Sequence, residues 1–371
     1  MAQAEGHWFL LSDTPFLARG AHAVAITDAG LLVVYGGELA PRTPVDTGLG
    51  RDLTPRGTLH AVAAETLPEP RVGAAAVWYD GALYMWGGRG GPDMAPLDAH
   101  QTGVWRATFG GAAGNRGSVR WERVAAANEA AAPAPRSFHT AVVHGHIMYI
   151  HAGCPESGRL NTLHAFDLDT STWEALASAP EPRAAAPRLK HPVSCVEHKL
   201  TFPFPGFCGQ ELPSAMGELD VYVISEDKWL TVQPVADAVH GSPGARSVHG
   251  FAPFRSPAPT PALAHGLAVL YHGEGAPSAE GHAGAGHFWD DAWVLSKGDD
   301  GSDDWDLRAG WAWHRLHTTG DEEHALDPPA GRGWFPGASW CDPAGHTQAV
   351  LFGGLLGTNE RTGELWEMEV N

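Results

Sequence analysis

The amino-acid sequence predicts an all-β fold, a propeller in which six four-stranded blades surround a central channel. Two observations lead to this prediction. Pairs of short apolar runs recur along the 371 residues, most of them ending at a glycine pair, and a tryptophan recurs after several of these pairs. A repeated strand-and-turn unit cannot bury its apolar face alone, so neighbouring units must stack against one another. Because no linker divides the chain, we expect residues 1–371 to form a single domain.

The repeated unit is an apolar run, a polar turn, a second apolar run and a glycine pair. Residues 74–88, AAAVWYDGALYMWGG, show it most plainly. Glycine suits the end of the second run because the backbone must turn sharply there and lie close to the next unit, where a Cβ atom would obstruct it. The other copies are residues 22–37, 139–153, a degenerate copy at 192–206, 267–273 and 349–354.

A second pair of apolar runs follows the glycine pair and ends in a turn and a tryptophan. Residues 163–173 and 219–229 have this form, and Trp121 and Trp313 hold the same place in their own repeats. Two runs before the glycine pair and two after it make a blade of four strands. The spacing of roughly 50–80 residues matches kelch repeats once long loops are allowed for.

The last repeat is incomplete at its C-terminal end. Residues 364–370 provide a strand, but no strand with a closing tryptophan follows it. Residues 7–12, HWFLLS, contain such a strand, so we expect the N-terminal strand to complete the last blade and close the ring. Closure removes an open sheet edge. Loss of residues 1–13 should therefore destabilise the protein far more than loss of a frayed terminus.

Charge and composition exclude several classes of protein. The net charge is −19 with histidine neutral, and no basic stripe is present, so we expect no nucleic-acid partner and no anionic membrane surface. Glycine (46) and proline (29) are abundant without a period, which indicates many turns rather than a collagen helix. The segments 91–118, 252–264 and 296–308 are rich in turn-forming residues, and we expect surface loops there.

The cysteines and the N-terminus bear on location. Four scattered cysteines without a CxxC pair indicate free thiols in a reducing compartment. Residues 1–13 lack the features of a signal peptide, and no apolar run approaches the roughly 18 residues that a membrane span needs. We therefore expect a cytoplasmic protein.

Propellers bind their ligands at the mouth of the central channel, so the residues directly after the glycine pairs are the candidate contacts. They are Glu38, Arg89, Cys154 with Glu156 and Arg159, Phe207 with Gln210, Glu274, and Leu355 with Asn359. Residues 136–139, RSFH, begin a strand within a repeat, and for these we expect a structural role.

The densest group of potential metal ligands lies in the glycine-rich segment 271–287. It contains Glu274, Ser278, Glu280, His282 and His287. Carboxylate and imidazole ligands suit a divalent metal such as Fe(II), and an incomplete protein shell leaves positions open for a substrate. A solvated polar loop is the alternative, because histidine is abundant throughout the chain.

Six stretches carry a more specific pattern. They are residues 35–42 (YGGELAPR), 136–139 (RSFH), 159–163 (RLNTL), 273–286, 332–334 (RGW) and 358–362 (TNERT). In these stretches the chain resembles the kelch-type nitrile-specifier, epithiospecifier and thiocyanate-forming proteins and their fungal and algal relatives. The likeness covers nearly the whole chain. The kelch pattern is unspecific, whereas residues 273–286, 332–334 and 358–362 are considerably more specific.

The resemblance implies a site for non-haem Fe(II) held by a Glu-x3-Asp-x3-His motif. Glu274 and His282 match the first and third positions, and Ser278 stands where the family has aspartate. This difference weakens metal binding, because a neutral hydroxyl replaces an anionic oxygen ligand. Glu280, His287 or a water molecule are the candidates to compensate.

The resemblance also implies substrate contacts at the channel mouth. Arg89 and Arg159 match two basic residues that contact substrate, and Trp334 matches an aromatic wall. A lysine that the family has within residues 35–42 is replaced by Ala40, so one cationic contact to a sulfate-bearing substrate is missing. The structural alternatives are a carboxylate partner for Arg89, a solvated Arg159, and blade packing by Trp334.

Three hypotheses for function follow. The first is an Fe(II)-dependent, specifier-like lyase or rearrangement protein that acts on a small anionic sulfur- or nitrogen-containing metabolite. In it Arg89 and Arg159 hold an anionic leaving group through forked hydrogen bonds, and Trp334 packs the apolar side chain. The second is a non-enzymatic module for protein–protein interaction. The third is another propeller enzyme, such as a sugar mutarotase; a copper oxidase is disfavoured because no secretory signal or Tyr–Cys context is present.

The first hypothesis predicts that the protein binds ferrous iron. In an anaerobic titration, we expect the Glu274→Ala and His282→Ala variants each to bind less iron than the unaltered chain, because each loses one ligand. The measurement is iron retained per protein after removal of free metal. Equal iron in all three proteins would rule out this metal site.

Overall fold

The computed structural model describes residues 4–45, 48–52, 60–61, 67–98, 103–109, 119–180, 195–196, 199–203, 217–254, 263, 266–281, 284–298, 310–341 and 345–371. Within these residues the architecture is all-β. Six sheets of four or five strands and three short two-stranded ladders account for the strands, joined by 3-10 turns at Pro15–Leu17, Glu129–Ala131 and Ile224–Glu226. No helix in the described ranges is long and apolar enough to cross a membrane.

The first three sheets follow one another along the chain. The first has β2 (Ala23–Ile26), β3 (Leu31–Tyr35), β4 (Gly48–Asp52) and β5 (His60–Ala61). The second has β6 (Ala75–Tyr79), β7 (Ala82–Trp86), β10 (Val104–Phe109) and β11 (Val119–Val124). The third has β12 (Thr140–His144), β13 (Ile147–His151), β14 (Leu163–Asp167) and β15 (Thr172–Leu176). Each is an antiparallel meander.

The next two sheets repeat the meander, and the sixth adds strands from elsewhere in the chain. The fourth has β16 (Cys195–Val196), β17 (Lys199–Pro203), β18 (Leu219–Val223) and β19 (Lys228–Val232). The fifth has β20 (Gly250–Pro253), β21 (Gly266–Tyr271), β24 (Ala292–Lys297) and β25 (Trp311–Arg315). The sixth has β28 (Ala338–Cys341), β29 (Thr347–Phe352), β31 (Glu364–Val370), β1 (Glu5–Asp13) and β26 (His317–Thr319).

Three short ladders accompany the larger sheets, and in the sequence the first two lie between the second and third strands of a sheet. The three are β8 (Arg89–Gly90) with β9 (Ala95–Pro96), β22 (Glu274–Ala276) with β23 (His287–Phe288), and β27 (Arg332–Gly333) with β30 (Leu355–Leu356). Two of them begin directly after a glycine pair or its equivalent. They continue the chain from the second strand of a sheet into the loops at that end.

One expectation for the loops was wrong. Within residues 91–118, Val104–Phe109 form β10, which pairs with both β7 and β11. Val104 and Ala107 are fully buried on opposite faces of this strand, each in a different hydrophobic cluster. The alternation of apolar and polar residues in WRATF, set among glycine- and proline-rich residues, is the sequence signal of a strand.

The first strands of the sheets contact one another in sequence. β28 lies between β20 and β2, and β6 lies between β2 and β12. The third, fourth and fifth sheets share one hydrophobic cluster, which includes Tyr149, Tyr222 and Trp293. The sheets therefore pack face to face around an axis, with β2, β6, β12, β20 and β28 innermost.

A buried arginine precedes the first strand in five of the repeats. These residues are Arg19, Arg71, Arg136, Arg246 and Arg332, and none is more than 2% exposed. In each, Nε donates to the carbonyl two residues earlier in the chain, at 2.9–3.2 Å. In the first four, Nη1 also donates to a backbone carbonyl of the same repeat, at 2.8–3.0 Å. The acceptor is the first residue of the glycine pair or the residue in its place: Gly36, Gly87, Ala152 and His272. Residues 188–191, RLKH, have the same spacing in the fourth repeat and lie outside the described residues.

The same arginines join successive repeats through their backbone. Gly37, Gly88, Gly273 and Gly354 donate N–H bonds of 2.9 Å to the carbonyls of Arg71, Arg136, Arg332 and Arg19 respectively. A Cβ atom on Gly87 would lie 2.6 Å from the Arg136 carbonyl oxygen, and one on Gly353 would lie 2.5 Å from that of Arg19. Both glycines also have positive φ. The glycine pair is therefore required by close approach to the next repeat.

The closing tryptophans occupy equivalent places on the fourth strands. Trp121, Trp173 and Trp313 are buried, and each pairs with a residue of the third strand of its sheet. On β1, which is antiparallel to β31, Trp8 is fully buried opposite Met368. Its ring also contacts Tyr271 and His272 of the fifth repeat, with centroids 5.9 and 5.7 Å away. Trp8 thus links the sixth sheet to the fifth.

Replacement of Trp8 tests the contribution of the N-terminal strand to stability. Trp8→Ala removes a large, fully buried ring, and we expect it to lower the free energy of unfolding by about 3–5 kcal/mol. The matched control is Phe9→Ala on the same strand, where the side chain is 38% exposed and we expect a much smaller loss. Denaturant midpoints measure both, and equal losses would contradict this role of Trp8.

His272 occupies a position that is glycine in three other repeats. Its φ is +55°, and its ring lies among Trp8, Tyr271 and Phe335. Neither ring nitrogen has a hydrogen-bond partner among the described residues. Burial lowers the pKa of His272 to about 3, with the charges of Arg332 and Arg246 lowering it and that of Asp291 raising it. The ring is therefore neutral in the folded protein.

This depressed pKa makes stability depend on pH in a defined direction. An unfolded histidine has a pKa of about 6.5, so below that pH the unfolded chain binds a proton that folded His272 does not. We expect the free energy of unfolding to fall as pH decreases from 6.5 toward 3, and His272→Gly to reduce that slope by about 1.4 kcal/mol per pH unit. Denaturant melts across this range measure the slope. His146→Gln, at an exposed turn, is the control, and an unchanged slope in His272→Gly would refute the assignment.

Candidate functional site

The residues that follow the glycine pairs lie at one end of the inner strands. Glu38, Arg89, Cys154 and Glu274 each form a bridge to the residue after a buried arginine, namely Gly20, Val72, Ser137 and Ser247. Leu355 pairs in the same way with Gly333. The same hydrogen-bonded position thus recurs in five repeats. These five side chains begin the loops at that end of the ring, which we call the glycine-pair end.

A second set of residues lies nearer the axis, two positions after each buried arginine. All five have positive φ, between 47° and 68°, and they are Ala21, Gly73, Phe138, Val248 and Trp334. Their backbones form a chain of hydrogen bonds from repeat to repeat. Each bond runs from a backbone N–H to a backbone carbonyl oxygen: Phe138 donates to Gly73 (2.7 Å), Gly73 to Ala21 (2.8 Å), Ala21 to Trp334 (2.6 Å) and Trp334 to Val248 (3.0 Å).

Phe138 and Trp334 meet across the axis. Their ring centroids are 5.9 Å apart with an interplanar angle of 81°, an edge-to-face contact. Phe138 precedes β12 and Trp334 precedes β28, and in the inner order β2 and β6 lie between those strands. Because the two rings belong to non-neighbouring sheets, their contact constricts the channel at this level. Positive φ is unusual for bulky side chains, so the fold holds both rings in strained positions.

Arg89 lies beside this aromatic pair. Its Nε donates to Ser137 Oγ (2.7 Å), and Nη2 donates to the carbonyls of Cys154 (3.3 Å) and Pro155 (3.2 Å). Its Cζ is 5.9 Å from the centroid of the Phe138 ring. Nη1 has no partner among the described residues, and the side chain is half-buried. Arg89 is therefore held in place by three bonds while one edge of its guanidinium stays open to a ligand.

Two further arginines add positive charge near Arg89. Burial lowers the pKa of Arg89; Cys154 raises it, whereas the charges of Arg159 and Arg42 lower it. Arg159 is exposed, and its Nη1 donates only to the adjacent carbonyl of Gly158 (2.9 Å). Arg42 is also exposed, and its Nη2 lies 3.5 Å from the Asp93 carbonyl. The glycine-pair end thus carries a local positive patch on a protein with net charge −19.

Glu38 begins the loop that carries Arg42. Its Oε1 accepts a bond from Arg361 Nη2 (2.9 Å), and its Oε2 accepts one from the Arg42 backbone N–H (2.9 Å). The carboxylate therefore connects the first and sixth repeats and shapes the turn at residues 39–42. These bonds assign Glu38 a positioning role beside the arginines.

The predicted metal ligands are only partly described. Glu274 is buried on β22, and Ser278 accepts a bond on Oγ from the Glu280 backbone N–H (3.1 Å). His282 lies outside the described residues. Among the described part of the chain, no group of three His, Cys, Asp or Glu side chains could hold a metal ion. Of the three predicted ligands only Glu274 and Ser278 lie within the described residues, so the ferrous site stays a prediction, and we derive no chemical step through iron.

The remaining predicted contacts are dispersed. Cys154 is buried, whereas Glu156, Asn359, Glu280 and His287 are exposed. Phe207 and Gln210 lie outside the described residues.

A separate cleft lies between the first and last repeats. It has a volume of about 570 Å³, and its walls include Leu39, Pro41, Leu356, Asn359 and Asp13. The segment 358–362 singled out in the sequence therefore lines this cleft rather than the axis. The Glu38–Arg361 ion pair connects the same two repeats.

The structure adds Phe138 and Ser137 to the predicted site. Residues 136–139 were expected to be structural, and that description suits Arg136 and His139, which are buried. Ser137 instead holds Arg89, and Phe138 contacts both Arg89 and Trp334. A sequence signal exists in hindsight, since the position two residues after each buried arginine faces the axis and is aromatic in two repeats.

The fold and this site define a propeller of kelch repeats with a polar and aromatic centre at one end of its axis. Residues 21–256 match the family model described as the KLHDC2/KLHL20/DRC7 kelch-repeats domain. The chain therefore belongs to the kelch-repeat family. A solved structure titled "Structure of YjhT" is similar over 95% of each chain, with 13% sequence identity and a TM-score of 0.59. At this identity the similarity concerns the fold alone.

Proposed function

We propose that the glycine-pair end of the propeller binds an anionic ligand, with Arg89 as its principal contact. The observation that carries this proposal is the anchored guanidinium of Arg89, whose Nη1 has no partner among the described residues. A planar guanidinium that is half-buried and already oriented loses little freedom when it binds a carboxylate, sulfate or phosphate oxygen. Arg159 is exposed nearby and supplies a second, less restrained charge.

The proposal includes a closed ring of six blades, with β1 completing the last. Hydrogen bonds between the first and sixth repeats support it, since Gly354 donates to Arg19 (2.9 Å) and Ala21 donates to Trp334 (2.6 Å). The antiparallel pairing of β1 with β31 supports the role of the N-terminal strand. A closed ring holds Arg89 and Trp334 at a constant separation, although they lie far apart in the sequence.

A specifier-like activity on a small sulfated metabolite is the enzymatic form of this proposal. Arg89, Arg159 and Trp334 would bind and orient the substrate, with its anionic group on the guanidinium groups and its apolar part on the indole. The case for it is the resemblance in residues 332–334 and 358–362 and the positive patch around Arg89. Loss of the leaving group would be assisted by the positive charge that these side chains place beside it.

A protein-binding module is the second candidate, and membership of the kelch-repeat family favours it. Kelch domains commonly mediate protein–protein interactions. In this case an acidic side chain of a partner protein would pair with the Arg89 guanidinium. Both candidates use the same cation, and they differ in whether a small anion alone binds.

Calorimetric titration with phenyl sulfate tests the proposed site. We expect Arg89→Ala to weaken binding by about 10-fold or more, since a hydrogen bond to a charged group contributes roughly 1.5–3 kcal/mol. Arg159→Ala should weaken it by a smaller factor because the side chain is exposed. Arg120→Ala, exposed on the outermost strand of the second sheet, is the matched control and should leave the affinity unchanged.

Phenol provides the ligand control, because it keeps the ring and removes the negative charge. We expect the unaltered protein to bind phenol more weakly than phenyl sulfate. We expect phenol to bind the Arg89→Ala variant as well as it binds the unaltered protein. Equal binding of phenyl sulfate to the Arg89→Ala, Arg120→Ala and unaltered proteins would refute an anion site at Arg89.

A further inference from the structure

We infer that Phe138 is a specificity-determining residue and that the site selects an anion attached directly to a planar aromatic group. The inference rests on the proposed anion site at Arg89 and concerns the chemical class of its ligand. Three features of the described residues carry it: the position of Phe138 beside Arg89, its contact with Trp334, and the constriction that the two rings form.

The first feature is the short distance between cation and ring. Arg89 Cζ lies 5.9 Å from the Phe138 centroid. An anion on the open edge of this guanidinium has its attached group placed within a few bonds of the aromatic surface. A compact ligand in which the anionic group is bonded to the ring satisfies both contacts, whereas an anion at the end of a long flexible chain does not.

The second feature is the shape of the aromatic pair. Phe138 and Trp334 stand edge to face, with an interplanar angle of 81°. Two rings in this arrangement form a corner, and a third ring packs into it with one face against one wall and its edge against the other. An aliphatic ring of similar size fills the same volume but lacks the quadrupole that makes edge-to-face contacts favourable.

The third feature is that neither ring is free to withdraw. The Phe138 backbone donates to Gly73 (2.7 Å), and the Trp334 backbone donates to Val248 (3.0 Å). Phe138 also packs against a small cluster of Ala21, Val72 and Met94. Because the pair constricts the channel, a ligand that enters from the glycine-pair end meets the two rings and stops there. The two rings thus form a fixed surface at the bottom of the site, which selects ligands by shape and polarity.

The test compares phenyl sulfate with cyclohexyl sulfate, which differ only in the aromaticity of the ring. We expect the unaltered protein to bind phenyl sulfate about 5-fold more tightly, which is about 1 kcal/mol. In Phe138→Leu, which keeps an apolar side chain at the same position, the preference should fall to about 2-fold or less. Its affinity for cyclohexyl sulfate should stay within about 2-fold.

The outcomes separate this inference from the proposed function. Equal binding of the two sulfates to the unaltered protein, with Arg89→Ala weakening both, would overturn the aromatic selection and leave the anion site standing. Absence of binding by either sulfate would overturn both. If Phe138→Leu does not fold, the NMR shifts of bound phenyl sulfate on the unaltered protein decide, since ring currents from Phe138 and Trp334 should move its ring protons upfield. Unshifted ring protons would refute the contact.

Discussion

The structure depends on a buried arginine that recurs at the start of five repeats within the described residues. Its side chain bonds to carbonyls within its own repeat, and its backbone carbonyl accepts a bond from the glycine pair of the repeat before it. Burial lowers the pKa of Arg19 and of Arg136 to about 10, so both remain charged near neutral pH. An unpaired buried charge is costly, so the carbonyls that accept from these arginines stabilise the surrounding turns.

The partners of the buried guanidinium differ from repeat to repeat. Arg246 has a carboxylate partner in Asp291, at 2.6 and 3.1 Å, which also accepts a bond from the Trp293 indole. Arg332 pairs with Glu364, which accepts from Trp366 in the same manner. Arg136 has only carbonyls and the Thr162 hydroxyl. The third repeat therefore carries the least compensated of these three arginines, next to the sequence that builds the candidate site.

The arrangement of side chains at the glycine-pair end follows from the same buried arginine. The turn that buries each arginine forces the residue two positions later to positive φ and toward the axis. Most repeats place a small or branched residue there, but the third and sixth place Phe138 and Trp334, whose rings meet. The bridge that follows the glycine pair then brings Arg89 of the second repeat to Ser137 of the third. A structural repeat thereby brings three unlike side chains together at one end of the propeller.

The sequence by itself determined the all-β kelch class, the glycine pairs and the closing tryptophans, because these depend on local turns and on a repeated apolar pattern. The resemblance in the sequence also predicted Arg89 and Trp334 as residues of one site. Only the tertiary structure showed that Phe138 contacts both Arg89 and Trp334 and that Glu38 forms an ion pair with Arg361. Those contacts join residues 49 to 323 positions apart, and they depend on how the sheets pack around the axis. A strand inside residues 91–118 was likewise missed because glycine and proline surround a short alternating run.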